Sequence, residues 1–351
     1  MVSARVVGLG AALPGGPVEQ GVLWDGFFGR HHGGGRLAER IFRGAGVEQR
    51  YAVANPLDGD DVTGWSTGDR MRRYAVESLP LGKEAVTVAL GDAGLAPDDV
   101  GLFAVVSCTG YVTPGLDVRV AADLGMAADV QRLAIGHMGC YAAVPGLGAA
   151  ADFAAARGRP AVLLCLELTS LHVQPPTDDI GQVVSHALFG DAAVALVVAP
   201  GTGPGLRVVE VAAVTDAATA DHMTWDVTDQ GFRMGLSPQV PEVLGRHVGP
   251  TVERLLDGHG LTVAEVDGWA VHPGGPKILD TVEARLALPN DALAASRAVL
   301  ATHGNCSSAT LPLVIGALRA AGRPRPGRHA IALAFGPGLT LYAALLQASS
   351  P

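Results

Sequence analysis

The chain has 351 residues, 48% of them apolar, and a formal net charge of −9. That length can bury two core-sized units, and the acidic balance excludes a surface built for nucleic acid. Its four cysteines contain no Cys-x-x-Cys pair, which excludes a disulfide framework and a cysteine-based zinc site. No apolar run reaches the roughly 18 residues of a membrane span.

Residues 6–13 read as a strand and turn, with no cleavable signal before them, so the chain is expected in the cytoplasm. The Arg- and Gly-rich stretch 29–68 is only partly periodic and reads as an N-terminal flap or cap. Residues 100–108 are a buried-strand run, 115–124 a helix and 130–135 another strand. Cys140 opens a helix that runs to about 157, where Gly158 and Pro160 stop it. Residues 161–168 and 192–199 are nearly continuous apolar strands. Gly201-Thr202-Gly203-Pro204-Gly205 is the best boundary. Beyond it the pattern repeats: a strand over 206–214, a helix over 241–258, a strand ending at 269–272, helices over 276–286 and 308–321, then strands over 331–335 and 339–346. Apolar strands alternating with helices predict a sheet covered on both faces. The repeated layout predicts a duplicated α/β architecture, with an N-terminal half 1–200 and a C-terminal half 201–351. Basic residues are nearly all Arg, with Lys only at 83 and 277, which reads as a composition effect without functional content.

Three separated segments carry chemistry. Cys140 stands in Gly136-His137-Met138-Gly139-Cys140-Tyr141-Ala142-Ala143, His272 in Val271-His272-Pro273-Gly274-Gly275-Pro276-Lys277, and Asn305 in His303-Gly304-Asn305-Cys306-Ser307-Ser308-Ala309-Thr310. A thiol attacks as thiolate, and a helix N-terminus and a nearby imidazolium both lower its pKa. Cys140 has the first from local sequence, and His272 supplies the second if the fold brings it close. Asn305, with an imidazole N–H, can stabilise an enolate or an oxyanion. Taken singly, each has a plainer reading: a buried structural cysteine (as Cys165 is read), a core or loop histidine, and a Gly-Asn turn. Their joint flanking sequences favour the catalytic one.

The chain resembles the type III polyketide synthases, the chalcone-synthase-like branch of the thiolase superfamily. Gly139-Cys140 with its small-residue helix resembles that family's nucleophile segment. Cys165-Leu166-Glu167-Leu168-Thr169-Ser170 resembles the strand after it, and Ala187-Leu188-Phe189-Gly190-Asp191 the segment with a pocket-gating Phe. The His272 segment, Asn305 with Ser307 to Thr310, and Phe335-Gly336-Pro337-Gly338-Leu339-Thr340 resemble the histidine, asparagine and C-terminal glycine-loop motifs. The closest rival, ketoacyl-carrier-protein synthase III, shares the Cys/His/Asn logic but has a different histidine motif.

The resemblance implies a thiolase-like duplicated αβαβα layered fold and a homodimer. Cys140 would take a starter from an acyl-CoA. His272 and Asn305 would decarboxylate malonyl-CoA, whose enolate attacks the Cys140 thioester. No metal or redox cofactor is implied; coenzyme A thioesters are substrates. Carried-over pocket positions are Cys108, Thr113, Phe189, Trp225, Phe232, Met234, Ser307, Gly336 and Pro337. Cys108 reads either as cavity lining or as a buried small hydrophobe. Trp225 stands where plant enzymes keep a glycine, and either closes the cavity floor or walls a rerouted tunnel. Thr113 falls where a residue reaches across the dimer. Arg40, Arg43 and Arg50 lie near the family's basic helix, as phosphate contacts or as a solvated face. The implied product is a pyrone, resorcinol or naphthalene-type polyphenol. The rival activities are a single-condensation priming synthase and a catalytically silent partner subunit.

Overall fold

The computed structural model describes residues 3–349. Strand β1 (Ala4–Ala12) opens the chain, α1 (Arg36–Arg43) lies in the cap, and α2 (Thr67–Ala93) crosses β1. The crossing is close: a Cβ at Gly8 would stand 2.3 Å from the Ala89 carbonyl oxygen, and one at Gly10 2.3 Å from that of Ala85. Two glycines in β1 therefore let a helix lie on the strand backbone.

Strands β2 (Leu102–Ser107), β3 (Gln131–Gly136), β4 (Ala161–Glu167) and β5 (Ala192–Pro200) complete the first half, with α3 (Leu116–Leu124), α4 (Ala143–Arg157) and α5 (Ile180–Leu188) between them. The second half holds β6 (Leu206–Thr215), a hairpin of β7 (Met223–Thr228) and β8 (Gly231–Leu236), then α6 (Val240–Asp257), β9 (Val266–Val271), α7 (Pro276–Arg285), α8 (Ala294–His303), α9 (Thr310–Ala320), β10 (His329–Gly336) and β11 (Thr340–Ala348).

Nine strands form one sheet in the order β9-β10-β11-β6-β1-β5-β4-β2-β3. The halves meet where β1 pairs β6 over only Arg5 and Val6. Three apolar layers pack around it. One joins α2 and α3 to the first half's outer face. A central layer holds α4 and α9. A third joins α6 and α7 to the second half. This is the expected αβαβα layering, and a mixed rather than purely parallel sheet.

Three features depart from the expectations. The longest helix, α2, has no counterpart among the predicted elements. Its buried face mixes Arg70, Tyr74 and Ser78 with Gly82, Ala85, Ala89 and a few larger apolar residues, and it contains Pro80, so its apolar stripe is faint. The β7–β8 hairpin is also additional. Cys140 does not open α4; it lies in a 3₁₀ turn, Gly139–Tyr141, that leads into it. The cap segment packs its own apolar cluster, with Trp24, Phe28 and Phe42 against Ala187 and Leu188 of α5.

Candidate active site

Cys140 follows the edge strand β3 through a sharp turn, in which His137 has φ 59° and Gly139 φ 74°. A side chain at Gly139 would meet Pro337 Cδ at 2.8 Å, and one at Gly336 would stand 2.9 Å from the Tyr141 ring and 3.4 Å from the Cys140 nitrogen. Gly336 and Pro337 therefore back the nucleophile turn; they are not among the residues lining the cavity in front of it.

His272 continues β9, with its N–H donating to the Leu333 carbonyl at 2.8 Å. Its ring is fully buried, edge-on to Phe335 at 5.7 Å, and neither nitrogen has a partner among the described residues. Asn305 is locked by backbone bonds: its N–H donates to Leu188 O at 2.8 Å, and its carbonyl accepts from Gly190 N–H at 3.0 Å. Gly304 (φ 70°) makes this possible, because a Cβ there would stand 2.7 Å from the Leu188 oxygen. Asn305 Oδ1 accepts from the Ser307 N–H at 2.9 Å, which leaves the amide N–H₂ free to serve Cys140.

Cys140, His272 and Asn305, from three segments, line one cavity of about 530 Å³. Phe189, Ser185, Met234 and Phe335 line it as well. Arg40 and Lys277 do too, and both are exposed, so they stand at its solvent side.

Burial opposes either charge here taken alone. It pushes the Cys140 thiol up to about 12, against hydrogen bonds from Ser307 and Asn305, and it holds the His272 imidazole down at about 3. A thiolate and an imidazolium formed together, by one proton transfer, offset much of that penalty. Burial at Cys140 thus outweighs the lowering expected from a helix start.

Behind Cys140 lies a carboxylate that the sequence reasoning passed over. Glu167 is fully buried. It accepts from the Cys108 N–H at 3.0 Å, from Thr109 Oγ1 at 2.8 Å and from Ser308 Oγ. Burial outweighs these bonds and raises its pKa to about 7. The available signal was a single acid in an otherwise apolar strand. The Cys108 thiol contacts Glu167 at 3.5 Å and Ser307 Oγ at 3.4 Å. Cys108 and Ser307 therefore join the nucleophile to this network, and Cys108 is buried rather than lining the large cavity.

The remaining pocket positions divide. Phe189 and Met234 line both the large cavity and a smaller one of about 60 Å³ behind it; Trp225 and Phe232 line only the smaller. The Trp225 indole N–H donates to the Cys108 carbonyl at 2.7 Å, and the ring stands edge-on to Phe232 and His172. Thr113 is exposed, outside both cavities. Arg50 is buried and donates to the His186 and Phe189 carbonyls at 2.6 and 2.7 Å, so it supports α5 and does not face a phosphate. Arg43 pairs with Glu39 in solvent. Of the three arginines, Arg40 alone reaches the cavity, and Lys277, read from sequence as compositional, joins it there.

The wall position of Trp225 gives a length test. Trp225→Gly should widen the range of starters accepted, while Trp225→Phe should keep the bulk, lose the bond to Cys108 and cost about 1 kcal/mol of stability. A chain-length series of acyl-CoA starters checks this. An identical length preference in Trp225→Gly and wild type removes Trp225 from specificity.

The N-terminal domain of chalcone and stilbene synthases matches residues 2–204, and the C-terminal domain of that family matches 210–350. The chain belongs to the chalcone and stilbene synthase family. It is a type III polyketide synthase, an acyltransferase. It is 36% identical to a 1,3,6,8-tetrahydroxynaphthalene synthase of Streptomyces peucetius subsp. caesius, covering 89% of this chain and 83% of that protein. It is 33% identical to a 3,5-dihydroxyphenylacetyl-CoA synthase of Streptomyces toyocaensis, covering 98% and 90%. Among solved structures, PKS-I from the brown alga Ectocarpus siliculosus superposes with a TM-score of 0.91 at 27% identity, covering 99% of each chain. The thiolase-like layering is therefore that of type III polyketide synthases. No described helix is long and apolar enough to cross a membrane.

Proposed function

We propose that this synthase loads a starter from an acyl-CoA onto Cys140, extends it with malonyl-CoA by decarboxylative Claisen condensation, and releases a cyclised pyrone, resorcinol or naphthalene-type polyphenol. The observation that carries this is the convergence of Cys140, His272 and Asn305 on one cavity with cationic residues at its solvent side. The thiol receives the acyl group as its proton passes to the imidazole and leaves with coenzyme A. The Asn305 amide and an imidazole N–H then hold the thioester oxygen of malonyl-CoA as carbon dioxide departs, and the enolate attacks the Cys140 thioester. Arg40 and Lys277 suit the coenzyme A phosphates. Coenzyme A thioesters are the substrates, and no step calls for a metal or redox cofactor.

The starter is read as an aliphatic acyl-CoA or malonyl-CoA itself. The relatives that make tetrahydroxynaphthalene and dihydroxyphenylacetyl-CoA support a small aromatic product. We divide the chain at 201–205 into a nucleophile half and a His/Asn half, since the halves pair through two residues of β1. A homodimer is supported by the edge strand β3, exposed along most of its length, and by exposed Tyr111 and Thr113 in the loop after its neighbour β2. Four buried free cysteines suit the cytoplasm.

The test is mass spectrometry of products from a panel of acyl-CoA starters with malonyl-CoA. Products carrying two or more malonyl-derived units per starter are expected. One unit per starter across the panel would mark a priming enzyme instead.

A further inference from the structure

Away from the catalytic cavity, the cap and α5 bring three imidazoles together. His31 and His32 end a short helical turn of the cap, and His186 lies in the last turn of α5. One ring nitrogen from each lies within 4.8 Å of the other two. The ring centroids are 4.9, 5.2 and 5.5 Å apart. Phe28 stacks on His32 and meets His31 edge-on, shielding the group from one side.

The protein's own hydrogen bonds serve this trio incompletely. His186 Nε2 accepts from the Gln174 N–H at 3.1 Å, which places the His186 proton on Nδ1, 3.1 Å from His32 Nε2. His31 Nε2 is buried and has no partner among the described residues, and such a lone pair normally finds one. Burial lowers the pKa of all three rings, to about 4 for His32, so the lone pairs are not protonated at neutral pH. His32 Nδ1 is likewise buried and without a partner among the described residues, so the trio carries two orphaned ring nitrogens.

We propose that His31, His32 and His186 form a structural site for a divalent transition-metal ion of the zinc class, bound through His31 Nε2, His32 Nε2 and His186 Nδ1 with water in the fourth position. A tetrahedral ion with bonds of about 2.0–2.1 Å holds its ligand nitrogens roughly 3.3 Å apart, close to the His32–His186 separation. Binding moves the His186 proton from Nδ1 to Nε2 and costs the pair of hydrogen bonds that the ring makes with the Gln174 N–H and with His32 Nε2. Three metal–nitrogen bonds replace them, and the orphaned His31 nitrogen gains a partner. Arg50 and Arg70 disfavour added positive charge nearby, and Asp61 favours it. The site is therefore weaker than a four-ligand structural zinc site. Its occupant would tie the cap to α5, which carries Ser185 into the catalytic cavity and delivers Phe189.

The experiment is titration of untagged full-length protein with Co²⁺, read by absorption, and with Zn²⁺, read by thermal unfolding. One equivalent of Co²⁺ should bind with a tetrahedral spectrum lacking a thiolate charge-transfer band, and Zn²⁺ should raise Tm. His31→Ala and His32→Ala should each weaken binding on the order of 10–100-fold, with His303→Ala as the unchanged control. The proposal is overturned by absence of saturable binding to the wild type, by a thiolate band that vanishes when cysteines are alkylated, or by unchanged affinity in folded His31→Ala and His32→Ala. The wild-type spectrum decides the matter even if a variant fails to fold.

Discussion

Cys140→Ala is expected to lose covalent acyl capture and condensation completely, with rates down by several orders of magnitude. The thiol lines the same cavity as His272 and Asn305, and the two other thiols near it are not expected to substitute. Cys108 is committed to Glu167 and Ser307, and burial raises its pKa well above the ordinary thiol value. Cys306 contacts the His303 carbonyl and is raised likewise. Intact-mass spectra after incubation with an acyl-CoA should show one acyl group on wild type and none on Cys140→Ala. An acyl adduct on the variant would move the nucleophile elsewhere.

The same residue carries a pH prediction. The folded environment raises the thiol, so thiolate without a partner is lost as pH falls below about 12. Iodoacetamide should therefore alkylate wild-type Cys140 below the ordinary thiol range only through the proton transfer to His272. His272→Gln should push alkylation to strongly alkaline pH. Matching profiles in the two proteins would show that the imidazole does not activate the thiol.

Much of this site was legible in the chain because its residues sit in turns that need particular neighbours. Gly139 requires a positive φ, Gly304 a close approach to the Leu188 oxygen, and Gly336 contact with Tyr141. Such demands leave short, specific strings. Strands β2, β4, β5, β10 and β11 were legible for another reason: they are buried along most of their length and read as apolar runs. What stayed hidden depends on distance in three dimensions. The crossing of α2 over β1 rests on small residues with little periodic contrast. Arg50 differs from Arg40 only in which way the cap folds, inward onto the His186 and Phe189 carbonyls or outward to the cavity. Lys277 gains its place from the turn at Gly275 (φ 140°) that starts α7. The tie from Trp225 to the Cys108 carbonyl joins a hairpin absent from the predicted elements to a loop 117 residues earlier.

Asn305→Ala should separate decarboxylation from thiol reactivity. The amide is held at its oxygen by the Ser307 N–H and at its backbone by Leu188 and Gly190, so its N–H₂ donor is fixed before substrate arrives. A preorganised donor of this kind supports the negative charge that develops on the malonyl thioester oxygen as carbon dioxide leaves. Its removal should slow malonyl-CoA decarboxylation on the order of 10²–10³-fold, about 2.7–4 kcal/mol. Thiol reactivity should fall much less. Among the hydrogen bonds that favour the Cys140 thiolate, that of Ser307 outweighs that of Asn305, and His272 remains to take the proton. The measurements are carbon dioxide release from malonyl-CoA and the iodoacetamide rate at Cys140, made on the same folded preparations. Asn305→Asp sharpens the comparison, because it keeps the size but replaces the donor with a carboxylate that repels an enolate, and it should decarboxylate no faster than Asn305→Ala. Equal losses of both activities in Asn305→Ala would mean that this amide organises the whole site, with no separate part in holding the enolate.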